Sequence, residues 1–394
     1  MRSEIEKYIY PNFFSKGYPL ITIKLNEIWA KMLNILINCF EKEFGNISVV
    51  NTLPLTSNMD LLSRFYGKYF NKLEDQIPVF IDSNNDKKVL LTDKLPLAVN
   101  YLKNNKIDNL ITTYTVVRPR SFGLQTYLYE EFIRYFQLLI STVKYDEDEY
   151  TKKIRNALTD FFKKINLYVV LGGRPSESYY VKKSTFFSVW FDNRITDILQ
   201  CGLLRESVVE SVYISNKSRL IMDIGGSQRL ITSWLYANSD SIGLKFPYEM
   251  RQYDILFAIK ETTVMSKKVV ELCENKNFRV LIDQSLGKKK FNQIKNLGYN
   301  ESVDVLIVQR KENGKEFYNV FFRDGKTETV DSIAKIEFLL SKLHKMYDNI
   351  LMNKQGETFK KYVEGINITP STYFGRLPIV NEGIFIKNNL LTED

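Results

Sequence analysis

The chain has 394 residues, 44% hydrophobic and 26% charged, with a formal charge of +9. That length carries a sizeable core and two or three domains, and the composition is that of an ordinary globular protein, not of a disordered or collagenous one. Cys39, Cys201 and Cys273 are far apart and odd in number, and His344 is the one histidine, so a disulfide framework, C-x-x-C sites and histidine metal clusters are excluded.

The positive balance favours a polyanionic partner, nucleic acid or anionic lipid. The abundance of Lys, Asn, Ile, Tyr and Phe also fits A/T-rich coding, which raises lysine without any partner. No apolar run approaches the ~18 residues of a membrane span, so the expected location is the cytoplasm or an organelle interior, with no membrane partner.

In chain order, residues 18–24 read as a short strand and Asn26 as the cap of a helix over 27–44, with Ile28, Met32, Ile35, Leu36 and Cys39 on one face. Residues 47–50 form a buried strand. A long helix followed by a strand suits a dimer interface as well as plain core. Strands at 77–81 and 89–91, joined by a polar turn, precede a helix at 97–104, and this hairpin argues for an α+β sheet. Strands at 113–117 and 125–129 flank a turn bearing Arg118 and Arg120, whose guanidinium forks match phosphate oxygens; solvated loop arginines are the alternative.

A helix is expected from about residue 130 and another over 146–164, then a strand at 167–171 with the turn Gly172-Gly173-Arg174-Pro175. Strands follow at 186–191, 195–204 and 208–214. The strand at 219–224 leads to Gly225-Gly226, read as a loop, and Arg229 stands at the mouth of an apolar helix. Glycines let a flat ligand approach the backbone, and an arginine at a helix start stacks on a base or pairs with phosphate. The pattern G-G-x-x-R also arises by chance.

Beyond Pro247 the elements alternate: strand 253–259, helix 264–274, strand 278–282, helix 291–297, strand 303–308. This βαβαβ order predicts a small doubly wound domain with right-handed crossovers, and it carries no G-x-G-x-x-G. A hairpin at Glu312-Asn313-Gly314-Lys315, a helix over 332–354 and a tail from 359 complete the chain.

These stretches resemble, over nearly the whole chain, prolyl-tRNA synthetase of the archaeal and eukaryotic type, a class II aminoacyl-tRNA synthetase. Residues 19–44 resemble its first motif helix and 46–54 the following strand, with Val50 where proline is usual. Val116-Val117-Arg118 through Tyr129 resembles a shortened motif 2, and Gly173-Arg174-Pro175-Ser176-Glu177 the turn into its G-R-K-T-E segment. Gly225 through Arg229 to Asn238-Ser239-Asp240-Ser241-Ile242-Gly243-Leu244 resembles motif 3 without a gap. The resemblance implies an α+β class II synthetase-like antiparallel sheet with helices over 1–250, an anticodon-binding-like α/β domain over 251–354 and a short C-terminal domain over 355–394. Tyr373-Phe374-Gly375 and Ile384-Phe385-Ile386-Lys387 carry that last match, without the cysteines that would hold zinc. It also implies ATP with magnesium, Arg118 on the α-phosphate, Arg229 stacked on adenine, Gly225 and Gly226 in the cofactor site, tRNA or another nucleic acid, a homodimer, and room for a protein partner.

The departures fall where the chemistry is done. Arg120 stands where motif 2 has an acid, and an alternative register puts Thr115 at the arginine's place. Leu124-Gln125-Thr126-Tyr127-Leu128-Tyr129 has none of the charges of L-R-T-R-E-F. The T-x-E segment that holds the proline amino group reads Thr92-Asp93-Lys94-Leu95-Pro96, and the T-S-H-H-L-G turn reads Gln200-Cys201-Gly202-Leu203-Leu204-Arg205. Three readings are therefore open: an RNA-binding or accessory paralogue with aminoacylation lost or strongly reduced, a divergent synthetase or amino-acid ligase forming an aminoacyl-adenylate, and a DNA-polymerase accessory subunit. Whether the chain is an enzyme stays open at this point.

Overall fold

Thr22 Oγ1 accepts the Leu25 N–H at 3.3 Å and caps a helix running Ile23–Phe44, so the helix starts a turn earlier than an Asn26 cap implies. The computed structural model describes residues 9–15, 18–51, 53, 56–67, 79–81, 83, 85, 87–90, 94–117, 132–175, 180–191, 194–213, 219–240, 242–287, 290–341, 346–363 and 373–374. The chain divides into two compact units, one of Ile5–Lys163, Tyr168–Trp234 and Thr358–Asp394, the other of Met1–Glu4, Lys164–Leu167 and Leu235–Glu357.

The first of these is built on an eight-stranded sheet. Its strands run in the order Ser48–Val50, Asn109–Val117, Phe132–Thr142, Leu220–Ser227, Arg194–Leu204, Val181–Phe191, Val170–Pro175, with Tyr373–Phe374 beside Arg194–Leu204 off this path. Neighbours are antiparallel except Ser48–Val50 against Asn109–Val117 and Tyr373–Phe374 against Arg194–Leu204. Helices Ile23–Phe44 and Glu147–Lys164 cover one face: Trp29 packs on Phe136 with ring centroids 5.9 Å apart, and Phe162 stacks on Phe187 at 5.3 Å. On the other face an apolar cluster of Leu53, Leu62, Phe65, Val99, Leu102 and Val208 packs on Leu110, Leu139, Val181, Leu204 and Ile221.

Three expectations are corrected here. Phe132–Thr142 is a central strand, not the start of a helix; residues 136–142 are buried without a break, and a strand covered on both faces loses the alternation that would reveal it. Glu206–Val212 is a helix, not a strand, with Glu206 in its first turn and Val208 and Val209 buried in the apolar cluster. Gly172-Gly173 and Gly225-Gly226 lie inside strands rather than in turns or loops.

The second unit holds a five-stranded sheet in the order Val280–Asp283, Ile255–Ala258, Val305–Glu312, Lys315–Phe322, Thr327–Val330. Its first three strands are parallel, joined through helices Val264–Asn275 and Phe291–Asn300, and the rest are antiparallel, as the alternation predicts. Asn313 and Gly314, at φ of 49° and 77°, turn the hairpin. The expected helix over 332–354 is Ile333–Ser341 and Met346–Val363, and His344 lies outside the described residues. A buried ionic network includes Lys245 on Asp304 at 2.7 Å, Arg251 bridging Asp254 and Asp304, and Arg279 on Asp254 at 2.9 Å. Burial pushes the Asp254 carboxyl up, but the Arg279 hydrogen bond and the Arg251 charge outweigh it and hold it below its ordinary value. Among the described residues no helix is long and apolar enough to cross a membrane.

Candidate functional site

The sheet of the first unit carries the residues that distinguish this chain. Strand alternation puts consecutive side chains on opposite faces, so the adjacent glycines of Leu220–Ser227 answer to different surroundings. A Cβ on Gly226 would lie 2.3 Å from Phe136 Cε1, so its lack of a side chain makes room for that buried ring. Among the described residues a Cβ on Gly225 would meet only the Phe136 carbonyl oxygen, at 3.9 Å. Gly225 stands in the middle of a cross-strand row.

Thr112, Gln137, Gly225 and Gln200 stand opposite one another on successive strands, in that order, and so share one face. Gln137 is 4% exposed and donates its Nε2–H to Asp223 Oδ1 at 2.9 Å, which fixes the amide and leaves Oε1 as the arm that accepts. Gln137 Oε1 and the Thr112 hydroxyl are buried without a hydrogen-bond partner among the described residues. Further along, Ser188 donates to Asp197 Oδ1 at 2.6 Å across the Val181–Phe191 and Arg194–Leu204 pair.

At the end of the row lies a buried cation. Lys94, 1% exposed, donates from Nζ to the Leu53 carbonyl at 2.8 Å and sits 5.2 Å from the centroid of Tyr114, two residues along the strand from Thr112 and on the same face. No carboxylate among the described residues pairs with it, and burial pulls its ammonium down to a pKa of about 8. Cys201, on the opposite face from Gln200, is a buried thiol whose pKa is pushed well up by burial and then by the Asp223 charge.

Of the residues expected to bind cofactor, Gly225 and Gly226 sit as described, and Arg229 is the second residue of helix Gln228–Ala237, half-buried, its backbone N–H donating to Ser227 Oγ at 3.3 Å. Arg118, Arg120, Thr92 and Asp93 lie outside the described residues. Sequence reasoning missed Gln137 and Thr112. The signal is a lone polar residue in Tyr135-Phe136-Gln137-Leu138-Leu139, which a helix reading of that stretch conceals.

A largely antiparallel sheet with helices packed on both of its faces is a class II synthetase-like fold. Within that class, the chain has the fold of prolyl-tRNA synthetases. It overlays the Cryptosporidium parvum enzyme complexed with halofuginone and AMPPNP at a TM-score of 0.68 and 14% identity, over 90% of this chain and 79% of that one. It overlays the same enzyme complexed with L-proline and AMP at 0.69 and 13%, over 91% and 78%. The Giardia lamblia prolyl-tRNA synthetase in complex with prolyl-adenylate matches at 0.67 and 12%, over 89% and 79%. No protein-family model matches the chain, and no curated protein matches it in sequence.

Proposed function

We propose that this chain is a prolyl-tRNA synthetase-like paralogue in which activation of proline is lost or strongly reduced, and which acts as an RNA-binding or accessory protein. The observation that carries this reading is Lys94. Where the resemblance places the acid that meets an amino group, the chain has a buried ammonium with no carboxylate beside it among the described residues. A second ammonium brought to that place meets like charge in a low-dielectric setting, where repulsion is least screened. The charge of +9 and the fold support RNA as the partner, with residues 251–354 acting as the anticodon-binding-like domain and a homodimer as the assembly. Binding of total tRNA is expected to weaken steeply as salt rises from 50 to 200 mM, about tenfold or more, because phosphate contacts release counterions. Binding that ignores salt, or none at all, removes the RNA part of the reading.

A second reading, an amino-acid ligase or divergent synthetase that still forms an adenylate, is favoured by the intact polar row and by Arg229 at its helix start. In it Arg118 meets the α-phosphate of magnesium-bound ATP, Arg229 stacks on adenine, and Gly225 lies beneath the nucleotide, whereas Gly226 makes room for Phe136 on the other face. AMPPNP, AMP and prolyl-adenylate in the structural neighbours support ATP as the ligand. ATP–pyrophosphate exchange driven by an amino acid other than proline separates this reading from the first. A DNA-polymerase accessory role rests on fold analogy and charge alone.

A further inference from the structure

Between helix Gln228–Ala237 and strand Ile255–Ala258, the second unit holds its incoming chain by two fixings of different strength. The first is sealed. Lys245 and Arg251 reach Asp304, Arg251 also reaches Asp254, and no side chain in these pairs is more than 6% exposed. The Phe246 N–H donates to Ser302 Oγ at 3.0 Å, and the Ser302 hydroxyl donates to the Leu244 carbonyl at 2.5 Å. Breaking a buried ion pair strands both charges in a medium that solvates them poorly, so this anchor does not open by local fluctuation.

The second fixing rests on one carboxylate just past the helix. Asp240 Oδ1 accepts the Ile242 and Gly243 N–H groups at 2.8 and 3.0 Å, and the Asp240 N–H donates to the Gly243 carbonyl at 3.0 Å, which closes a tight loop. Arg323, at the end of strand Lys315–Phe322, donates from Nε to Asp240 Oδ2 at 2.8 Å and from Nη2 to Oδ1 and to the Gly243 carbonyl, each at 3.1 Å. Burial alone would raise the Asp240 carboxyl, but the Arg323 hydrogen bond and charge and the two loop N–H groups outweigh it and keep the group ionised at neutral pH. The Arg323 side chain is 3% exposed and that of Asp240 27%, so water reaches this pair through the carboxylate. A carboxylate that water can solvate leaves its partner at lower cost than a sealed one. We infer that Asp240 and Arg323 form a latch on the helix that carries Arg229. Closed, it binds the loop after that helix to the five-stranded sheet; open, it frees residues 240–243 and the last helical turn while the Lys245 and Arg251 anchor holds. This goes beyond the RNA-binding reading and stands whether or not an adenylate forms.

The test is amide hydrogen exchange on the full chain. In wild type the Ile242 and Gly243 amides should be protected, yet exchange about tenfold or more faster than those of Ile255–Ala258, because they are released by local opening. Asp240→Asn keeps an oxygen for the two loop N–H groups and gives up the charge that holds Arg323. It should speed exchange at Ile242, Gly243 and the last turn of the helix by about tenfold or more, and leave Ile255–Ala258 and Val305–Val308 unchanged. Should the variant fail to fold, the wild-type contrast decides alone. Ile242 and Gly243 as well protected as the strands, or a loss in the folded variant spread evenly through the five-stranded sheet, overturns the inference. Proline-dependent ATP–pyrophosphate exchange would sink the proposed function and leave the latch standing, so the two failures are distinguishable.

Discussion

At the scale of single residues, Gly225 and Gly226 differ more than their adjacency suggests. Gly226→Ala must displace the Phe136 ring, which is buried and packed on Trp29, and should cost about 1–3 kcal/mol. Gly225→Ala has no such neighbour among the described residues and should change stability by no more than about 1 kcal/mol; urea denaturation of both variants checks the contrast. Lys94 gives a pH signature. Its ammonium is pulled from 10.5 to about 8 by burial, so below pH 8 it is charged in both folded and unfolded chains and the burial penalty is fully present. Between about pH 8 and 10.5 the unfolded chain holds more protons, and stability rises with pH. Lys94→Met should therefore be more stable than wild type at pH 7, by about 1–2 kcal/mol once the lost Leu53 hydrogen bond is deducted. That advantage should shrink as the denaturation series moves to pH 10.

At the scale of elements, the Tyr150 hydroxyl of helix Glu147–Lys164 bonds to two strands of the sheet. Tyr150 donates to the Ile140 carbonyl at 2.6 Å and accepts the Met222 N–H at 2.9 Å, linking two neighbouring strands. Tyr150→Phe leaves both backbone groups short of a partner in the core, and should cost about 1–3 kcal/mol in chemical denaturation. Elements with clean periodicity were legible from sequence, such as the apolar face of Ile23–Phe44 and the βαβαβ alternation of the second unit. Phe132–Thr142 was not, because a strand buried on both faces is an apolar run that a helix would also satisfy. That single misreading hid Gln137, and with it the polar row, since the row exists only when the strand registers are known. Local chemistry marks Arg229 and the glycines in the sequence, and Lys94 stands in the segment where the resemblance places an acid.

For the whole molecule, a fold of about 90% shared extent at 12–14% identity shows how little of the sequence the architecture demands. Alternating burial, strand order and the helices that pack on the sheet suffice to preserve it. Activation chemistry is less tolerant. It depends on charges placed to align the reacting groups and neutralise the α-phosphate, and losing one such group typically costs about 10²-fold or more in rate. Where the resemblance places the L-R-T-R-E-F charges and the T-x-E acid, the sequence has neither, while its net charge of +9 suits a polyanion. We propose that the fold persists here without proline activation. ATP–pyrophosphate exchange with proline, at saturating ATP and magnesium, tests it most directly. Exchange should remain at the level of the proline-free blank; robust proline-dependent exchange would contradict it.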